Sequence, residues 1–476
     1  MKEKLIFDYT RPGKTGVLCS GPAGSPERHL PADLIRKDYA NLPEVSEVET
    51  VRHFTRLSQL NYGVDSGFYP LGSCTMKYNP KINEKTASLE GFAGLHPMIP
   101  DSLAQGALRL ICELQEYLCR ITGMQACSLQ PAAGASGEFT GLLMMRRWHQ
   151  VKGTAHKNEI IIPDSAHGTN PASVALTGFR VVEVKSNSQG WVDIEALKQV
   201  VNENTAGLMI TNPNTLGLFD GNIRQVADII HAAGGLVHYD GANLNAIMGK
   251  CRPFDMGFDI VHMNLHKTFS TPHGGGGPGS GPVTVTKELR DFLPGPIAAR
   301  SGDSFFMDHD LKHTIGKVTG FHGNFAVMVK AYTYIRMLGS AGLKAASETA
   351  VLNANYLLKL LDQHLKRDFP QFCMHEFVLS GRELPNGVHT LDIAKRLLDY
   401  GYHAPTIYFP LIVKEAIMIE PTETESLETL DAFASTMVRI CEEAAANPEL
   451  LKQAPVSTPV RRLDEVNAAR KPVLCA

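Results

Sequence analysis

Short apolar runs alternate with amphipathic stretches through the middle of the chain. EIIIP at 159–163 and AGLMIT at 206–211 have the pattern of buried strands, whereas DIEALKQVVNEN from 193 and NIRQVADIIHAAG at 222–234 have the period of helices. The predicted strands are 159–163, 180–184, 206–211, 235–240, 258–264 and 282–286. Strands that alternate with helices predict a mostly parallel, doubly wound α/β sheet.

Other patterns flank this alternating region. Residues 102–121 predict an amphipathic helix with a cap at Asp101 or Ser102, and a second helix is predicted near 138–150. The C-terminal part predicts two long helices and then strand, helix, strand and helix, at 324–339, 341–366, 372–380, 389–401, 416–421 and 424–445. The predicted domains are an N-terminal arm at 1–60, a large domain at 61–330, and a small α+β C-terminal domain with a tail at 331–476.

Charge and composition exclude several classes of protein. The chain has 46 basic and 49 acidic side chains, so it lacks the basic surplus of a nucleic-acid or anionic-membrane binder. No apolar run approaches the length of a transmembrane helix, and MKEKLIFDYT has no apolar segment typical of a secretory signal. None of the nine cysteines forms a CxxC pair. We therefore expect a cytoplasmic protein without a disulfide framework or a metal site.

A lysine lies in the most unusual segment of the chain, NLHKTFSTPHGGGGPGSGP at 264–282. Lys267 follows a predicted strand, stands between histidines and precedes a run of glycines. A loop lysine is commonly a solvated surface group. A lysine amine that loses its proton can instead condense with an aldehyde, so Lys267 is also a candidate for a Schiff base.

An aspartate ends the predicted strand before this one. Asp240, in HYDGANLN, could cap a helix, or it could hold a pyridinium N–H in the protonated state, as the carboxylate partner of pyridoxal phosphate does. The sequence separation from Lys267 allows one crossover and one strand. Both residues are then expected at the ends of adjacent parallel strands, facing one crevice.

Two further polar clusters follow predicted strands. PDSAHGTNPAS at 163–173 carries His167, which could lie over a flat cofactor or be a solvated loop histidine. TNPNTLG at 211–217 carries Asn212 and Asn214, which could hydrogen-bond a phenolic oxygen or form an ordinary Asn-Pro turn.

AAGASGE at 132–138 opens a predicted helix. Its small residues would let the backbone N–H groups of Ala135, Ser136 and Gly137 approach a phosphate, and the helix dipole adds attraction. The segment lacks the GK[ST] of a Walker loop and the GxGxxG of a dinucleotide site. An anion site, a ring-stacking histidine, a pyridinium partner and an imine lysine along one sheet together predict pyridoxal 5'-phosphate.

At this point the chain resembles a known family, glycine decarboxylase, the P-protein of the glycine cleavage system. The resemblance rests on the lysine segment, on PDSAHGTNPAS, and on YPLGSCTMKYNP (69–80), HGN (322–324) and MIEPTETESLETLDAF (418–433), and it extends from about residue 5 to residue 450. The opening IFDYTRPGKTG and the chain length are similar to subunit 2 of the split, two-chain form of that family.

This resemblance implies a fold-type-I pyridoxal-phosphate enzyme. Lys267 would form the aldimine and, with His167, act in catalysis. The implied cofactor-binding residues are Lys267, Asp240, His167, Ala135, Ser136, Asn212 and His266. Glycine would lose its carboxylate as CO2, and its aminomethyl group would pass to the lipoyl arm of the H-protein. The implied partner is P-protein subunit 1, in a heterodimer or a dimer of heterodimers.

Alternatives remain open at the level of sequence. Another fold-type-I amino-acid decarboxylase or a desulfurase would share the cofactor residues, and a partner chain without catalysis would not need both Lys267 and Asp240. Arg300 is a candidate for binding the glycine carboxylate. Cys74 could be redox-active at the mouth of a lipoyl channel, although a buried small side chain beside a glycine turn is the favoured interpretation.

Overall fold

The computed structural model describes residues 3–16, 29–38, 40–273 and 278–474. Contacts divide the chain into two units, Gly67–Val456 and Met1–Ser66 together with Ser457–Ala476. Within the second unit, Ser46 and Glu49 form a capping box that opens a helix. The domain boundaries at 60 and 330 stay predictions.

Secondary structure covers most of the described chain. The helices are α1 Glu47–Gln59, α2 Lys81–Ala87, α3 Glu90–Ala93, α4 Gln105–Thr122, α5 Gly134–Val151, α6 Thr169–Leu176, α7 Ile194–Val200, α8 Ile223–Ala232, α9 Leu265–Thr268, α10 Phe325–Leu361, α11 Thr390–Asp399, α12 Leu427–Ala446, α13 Pro448–Gln453 and α14 Glu465–Arg470. The strands are β1 Ala126–Ser128, β2 Glu159–Pro163, β3 Arg180–Val184, β4 Thr205–Thr211, β5 Leu236–Gly241, β6 Ile260–Met263, β7 Val283–Val285, β8 Ile297–Ser301, β9 Ser304–Asp308, β10 Phe377–Ser380, β11 Thr406–Ile407 and β12 Ala416–Ile419.

The large sheet has the strand order β1-β7-β6-β5-β4-β2-β3. Strands β2 to β6 run parallel to their neighbours in that block, and β7 is antiparallel to both β6 and β1. All residues of β4 and β5 are buried, as expected for a sheet covered by helices on both faces. The predicted mostly parallel sheet and its six strands are confirmed. Strand β1 was missed because its three residues are too short for a periodic pattern.

Glycine residues lie at the boundaries of several helices. Helix α4 ends at Thr122, and the next residue, Gly123, has a left-handed φ of 80°, which glycine adopts without strain. Helix α5 begins at Gly134, four residues before the start predicted near 138, so residues 134–138 of the AAGASGE segment form its first turn. The two long helices predicted at 324–339 and 341–366 are confirmed, because α10 is interrupted at Gly339, where φ is 62° and the geometry is not helical.

A second sheet, with the order β10-β12-β11, lies in the C-terminal part of the larger unit. It is antiparallel, and the β10–β12 ladder ends with Phe377 opposite Ile419. Both side chains lie in an apolar core with Phe433 of α12 and Leu397 of α11. The predicted strand–helix–strand–helix order is confirmed, whereas β11 and the β8–β9 hairpin were not predicted.

Candidate active site

The C-terminal ends of β4, β5 and β6 border a cavity of about 250 Å³. Its lining residues are Ser73, Ala133, Gly134, Ala135, Glu138, His167, Thr169, Thr211, Thr215, Asp240, Ala242, Asn243, Asn264, His266, Lys267 and His273. Of the residues singled out in the sequence, the cavity brings together Ala135, His167, Asp240, His266 and Lys267.

Lys267 lies on the short helix α9, directly after strand β6. Its Nζ donates a hydrogen bond of 2.9 Å to the backbone oxygen of Ser73. The neighbouring His266 ring accepts the backbone N–H of Ser280 at 3.3 Å and lies 5.1 Å from the His273 ring, between centroids. Burial, together with the charge of Lys267, lowers the pKa of His266 to about 3. The lysine therefore stands beside a neutral ring that accepts a hydrogen bond.

Asp240 is 2% exposed in strand β5, and three groups compensate its burial. Its carboxylate accepts the Asn170 amide at 2.9 Å and the Ala242 backbone N–H at 3.0 Å, and it lies 3.1 Å from His262 Nε2. Burial alone would raise the pKa of Asp240, but attraction to His262 and these contacts lower it well below its usual range. Asp240 also raises the pKa of His262 against the effect of burial. The cavity floor therefore carries a fixed negative charge.

A second carboxylate, that of Glu138 in α5, connects residues of the cavity wall through hydrogen bonds. It accepts hydrogen bonds from Thr169 Oγ1 at 2.8 Å, Asn170 Nδ2 at 3.2 Å and Ser173 Oγ at 3.0 Å. The Asn170 amide thus bridges Glu138 and Asp240. Thr169 also contacts His167, with its Oγ1 at 2.8 Å from Nδ1 of that ring.

His167 is half-buried and lines the cavity from the segment between β2 and α6. Its ring meets the Phe409 ring edge to face, with centroids 5.4 Å apart. Burial lowers the pKa of His167, with a further contribution from Lys267. The ring is therefore neutral at pH 7, which suits packing against a flat ligand.

The first turn of α5 meets the cavity through very close backbone packing. A Cβ on Gly134 would stand 2.5 Å from Asn264 Oδ1, and a Cβ on Gly281 would stand 2.0 Å from the backbone oxygen of Ala133. Asn324 of the HGN segment donates to the backbone oxygens of Ala132 and Gly279 and so ties the two chain segments together. The N–H groups at the start of this 18-residue helix are oriented for an anion.

Comparison with known proteins decides the family. A model described as glycine cleavage system P-protein matches residues 26–306, and one described as glycine dehydrogenase, C-terminal domain, matches residues 346–456. A probable glycine dehydrogenase (decarboxylating) subunit 2 from Caldanaerobacter subterraneus is 60% identical over 475 residues, 99% of this chain and 98% of the relative. A protein of the same description from Desulforamulus reducens is 59% identical over 479 residues, 100% of this chain and 99% of the relative.

The chain belongs to the P-protein family. Among solved structures, that of a glycine decarboxylase (P-protein) in inhibitor-bound form superposes with a TM-score of 0.75 at 19% identity, over 87% of this chain and 94% of that one. This likeness confirms the predicted fold-type-I architecture. No helix in the described part of this P-protein chain is long and apolar enough to cross a membrane.

Several of the residues considered from sequence do not line the cavity of this P-protein chain. The Asn212 side chain pairs with the backbone of Asp220, and that of Asn214 bonds to Gly190, Leu216 and Leu218. Arg300, on the β8–β9 hairpin, donates to the Gly302 oxygen at 2.7 Å. Ser136 lies in the first turn of α5, beside the lining residue Ala135, and is itself outside the lining set.

Cys74 has the environment of a structural cysteine. It is 8% exposed, and its Sγ lies 3.6 Å from the sulfur of Met76. Burial raises the pKa of Cys74 to about 11, so little thiolate is present at pH 7. These observations agree with the favoured interpretation of a buried small side chain.

Several residues of the site were missed in the sequence. Glu138, Asn264 and Ser73 all lie in segments that the sequence singled out, but no spacing rule assigned them a role. The available signal was weak: an acidic residue inside a helix of small residues, and an asparagine three positions before the lysine. Asn170 carried no signal, because its bridge between two carboxylates exists only in the folded chain.

Proposed function

We propose that this chain is the cofactor-carrying subunit 2 of a two-subunit glycine decarboxylase that uses pyridoxal 5'-phosphate. One observation carries the proposal: the Lys267 amine and the Asp240 carboxylate line one cavity at the ends of neighbouring parallel strands. An amine that bonds an aldehyde and a carboxylate that keeps a ring nitrogen protonated are what this cofactor requires. The description shared by the curated relatives supports glycine as the substrate.

Unpaired polar groups of the cavity support the fit of the cofactor. Thr211 Oγ1 and Asn264 Oδ1 are buried and have no hydrogen-bond partner among the residues that the structure describes. Since buried polar atoms are nearly always paired, both are open to a ligand. The first turn of α5, with Ala135 and Ser136, offers backbone N–H groups to a phosphate.

The residues of the chain then have defined tasks. When bound, pyridoxal phosphate supplies the electron sink that takes up the electron pair left as the glycine carboxylate departs as CO2. Lys267 would hold the cofactor through its amine. Asp240, ionised because of His262 and Asn170, would favour a proton on the ring nitrogen. His167, neutral and half-buried, would offer its ring as a packing surface and help to exclude water.

The reaction requires a second substrate and partner chains. The aminomethyl carbon would form a bond to one sulfur of the lipoyl disulfide of the H-protein. The sulfur–sulfur bond would break, and the other sulfur, still attached to the lipoyl chain, would take up a proton. We assign P-protein subunit 1 as the partner in a heterodimer or dimer of heterodimers, and the cytoplasm as the compartment.

The lining residues also distinguish the proposal from a desulfurase. A desulfurase needs a thiolate that reaches the cofactor, and the described lining residues include no cysteine. Another amino-acid decarboxylase would differ in substrate.

Isotope exchange tests the proposal. The chain is combined with subunit 1 and lipoylated H-protein, and labelled bicarbonate is added with glycine or glutamate. We expect label in the carboxyl group of glycine alone, no exchange with Lys267→Ala, and full exchange with Lys312→Ala, which removes an exposed lysine outside the site. Label in glutamate, or undiminished exchange with Lys267→Ala, would overturn the proposal.

A further inference from the structure

Two buried glutamates face one another behind the active-site lysine. Glu376 directly precedes β10 and Glu420 directly follows β12, and the last ladder pair of these antiparallel strands is Phe377 with Ile419. The register therefore places the two glutamates opposite one another. Glu376 is 0% exposed and Glu420 is 1% exposed. Like charges directly across a strand pair repel one another, and burial strengthens that repulsion.

The surrounding groups do not neutralise two negative charges. Glu376 accepts the Ser73 backbone N–H at 2.6 Å and the Asn243 amide at 3.4 Å, and Glu420 accepts the Thr75 hydroxyl at 2.5 Å. His375 Nε2 lies 4.0 Å from an oxygen of each carboxyl. Within the described ranges of the chain, no lysine or arginine forms an ion pair with either glutamate.

His375 does not supply the missing charge. It is 0% exposed, and neither of its ring nitrogens has a hydrogen-bond partner among the described residues. Burial lowers the pKa of His375 to about 3, with a further effect of Lys267. The histidine is therefore neutral at pH 7, and the two carboxyl groups cannot both be ionised without a large cost.

Lys267 lies on the other side of the same loop. The Ser73 backbone donates its N–H to Glu376 and accepts Lys267 Nζ through its oxygen, so one peptide segment separates the ammonium from the carboxyl pair. The charge of Lys267 lowers the pKa of both glutamates, against the effect of burial. The other titratable neighbours among the described residues are Cys74 and Cys373, whose thiols are protonated because burial raises their pKa, and Glu423, which is paired with Lys77 at 2.7 Å.

We propose that Glu376 and Glu420 share one proton and act as an adjustable counter-charge for Lys267. The charge of the Lys267 ammonium favours release of the shared proton, and loss of that charge when the amine bonds the cofactor favours its retention. Only O–H and N–H bonds change in this exchange. This inference rests on the proposed function, because Lys267 changes its bonding only in a cofactor cycle. Both glutamates are positioning residues, since they act through Lys267.

The pKa directions agree with this arrangement. Burial raises the pKa of Glu376 to about 7 and, together with repulsion from Glu376, raises that of Glu420 well above its usual range. A metal ion is the competing explanation, because His375, Glu376 and Glu420 each offer a ligand atom within 4.8 Å of the others. The nearby Lys267 ammonium repels a cation, which favours the shared proton.

Infrared spectroscopy of the full chain between pH 5 and pH 9 tests the proposal directly. A protonated carboxyl group has a carbonyl stretch above the amide I band, whereas a carboxylate does not. We expect this band in the native chain near neutral pH and its loss in the double variant Glu376→Gln/Glu420→Gln. Glu348→Gln, which removes a half-exposed carboxylate paired with Lys250, should leave the band unchanged.

The decisive comparison is between the native chain and Lys267→Met. This comparison does not depend on whether the glutamate variants fold. Removal of the ammonium should move the midpoint at which the band disappears upward by about one pH unit or more. An unchanged midpoint would overturn the proposal. So would a native spectrum equal to that of the double variant, or a tightly bound metal whose removal creates the band. Failure of the cofactor assignment would appear separately, as the absence of a reducible adduct on Lys267.

Discussion

Asp240 illustrates how individual residues acquire function from their contacts. The sequence indicates a carboxylate at a strand end near a lysine, and this much is predictable because a carboxylate at the end of a buried strand needs a compensating partner. The identity of the compensating groups is not predictable, since His262 comes from the next strand and Asn170 from a helix that the sequence suggested was a loop. Asn212 also follows a buried strand, but its side-chain amide bonds to the backbone of Asp220 in the same loop instead of lining the cavity.

Asp240→Asn tests the role of the buried charge. The amide preserves size but cannot keep a ring nitrogen protonated, so we expect exchange activity to fall about 10²-fold or more while the chain still folds. Steady-state exchange and a thermal unfolding curve measure the two effects. Asp255→Asn, at an exposed carboxylate paired with Arg252, is the matched control. Near-native activity of Asp240→Asn would contradict the assigned role.

Cys74 should be unreactive in the folded protein. Burial raises its pKa to about 11, so alkylation by iodoacetamide at pH 7.5 should be much slower than for the unfolded chain. Mass mapping after a timed reaction measures the rate at this residue. Modification of Cys74 at the rate of the unfolded chain would instead support an exposed, redox-active thiol.

Among the secondary-structure elements, the contact between the start of α5 and the segment that carries Gly281 shapes the site. Sequence patterns predicted the six main strands because apolar runs report burial, and they predicted the anion site from its small residues. They could not predict that Gly281 and Ala133 would touch, because these residues are far apart in the chain. The register that sets Glu376 opposite Glu420 depends in the same way on long-range pairing.

Gly281→Ala should disturb this contact. Its Cβ would stand 2.0 Å from the Ala133 backbone oxygen, so the helix start must shift. We expect a loss of about 1–3 kcal/mol in the free energy of unfolding and weaker binding of pyridoxal phosphate. Denaturant titration and cofactor titration measure these effects. Gly106→Ala in helix α4, where a Cβ meets nothing within 4 Å, should be neutral or stabilising, and equal behaviour of the two variants would refute the packing argument.

At the scale of the whole molecule, the carboxyl pair should make the stability of the folded chain depend on pH. A free glutamate has a pKa of about 4.3, and that of Glu376 is raised to about 7 in the folded chain, so the native state binds more protons than the unfolded state between these values. The resulting stability is fully present below about pH 4.3 and is lost as the pH rises through about 7.

This linkage predicts a difference between variants across pH. The melting temperature of the native chain should fall between pH 5 and pH 8 more steeply than that of Glu376→Gln, because the variant has no carboxyl group at this position to release a proton. Calorimetry at several pH values measures the two slopes. Parallel slopes would show that Glu376 contributes no proton to the folding equilibrium.

At the scale of the whole chain, motifs were more informative than periodicity. The lysine segment and the other motifs quoted above indicated the family, and relatives at about 60% identity confirmed it. The elements without periodic signal, such as the two-residue strand β11 and the β8–β9 hairpin, were beyond sequence patterns because their pairing depends on distant residues.

The most direct test of the central claim is the covalent attachment of the cofactor. The purified chain, alone and with subunit 1, is supplied with pyridoxal phosphate, its visible spectrum is recorded before and after borohydride, and the reduced protein is mapped by mass spectrometry. The account predicts a visible band that borohydride bleaches and a pyridoxyl group on Lys267. No band in either preparation, or a pyridoxyl group on another lysine, would contradict it.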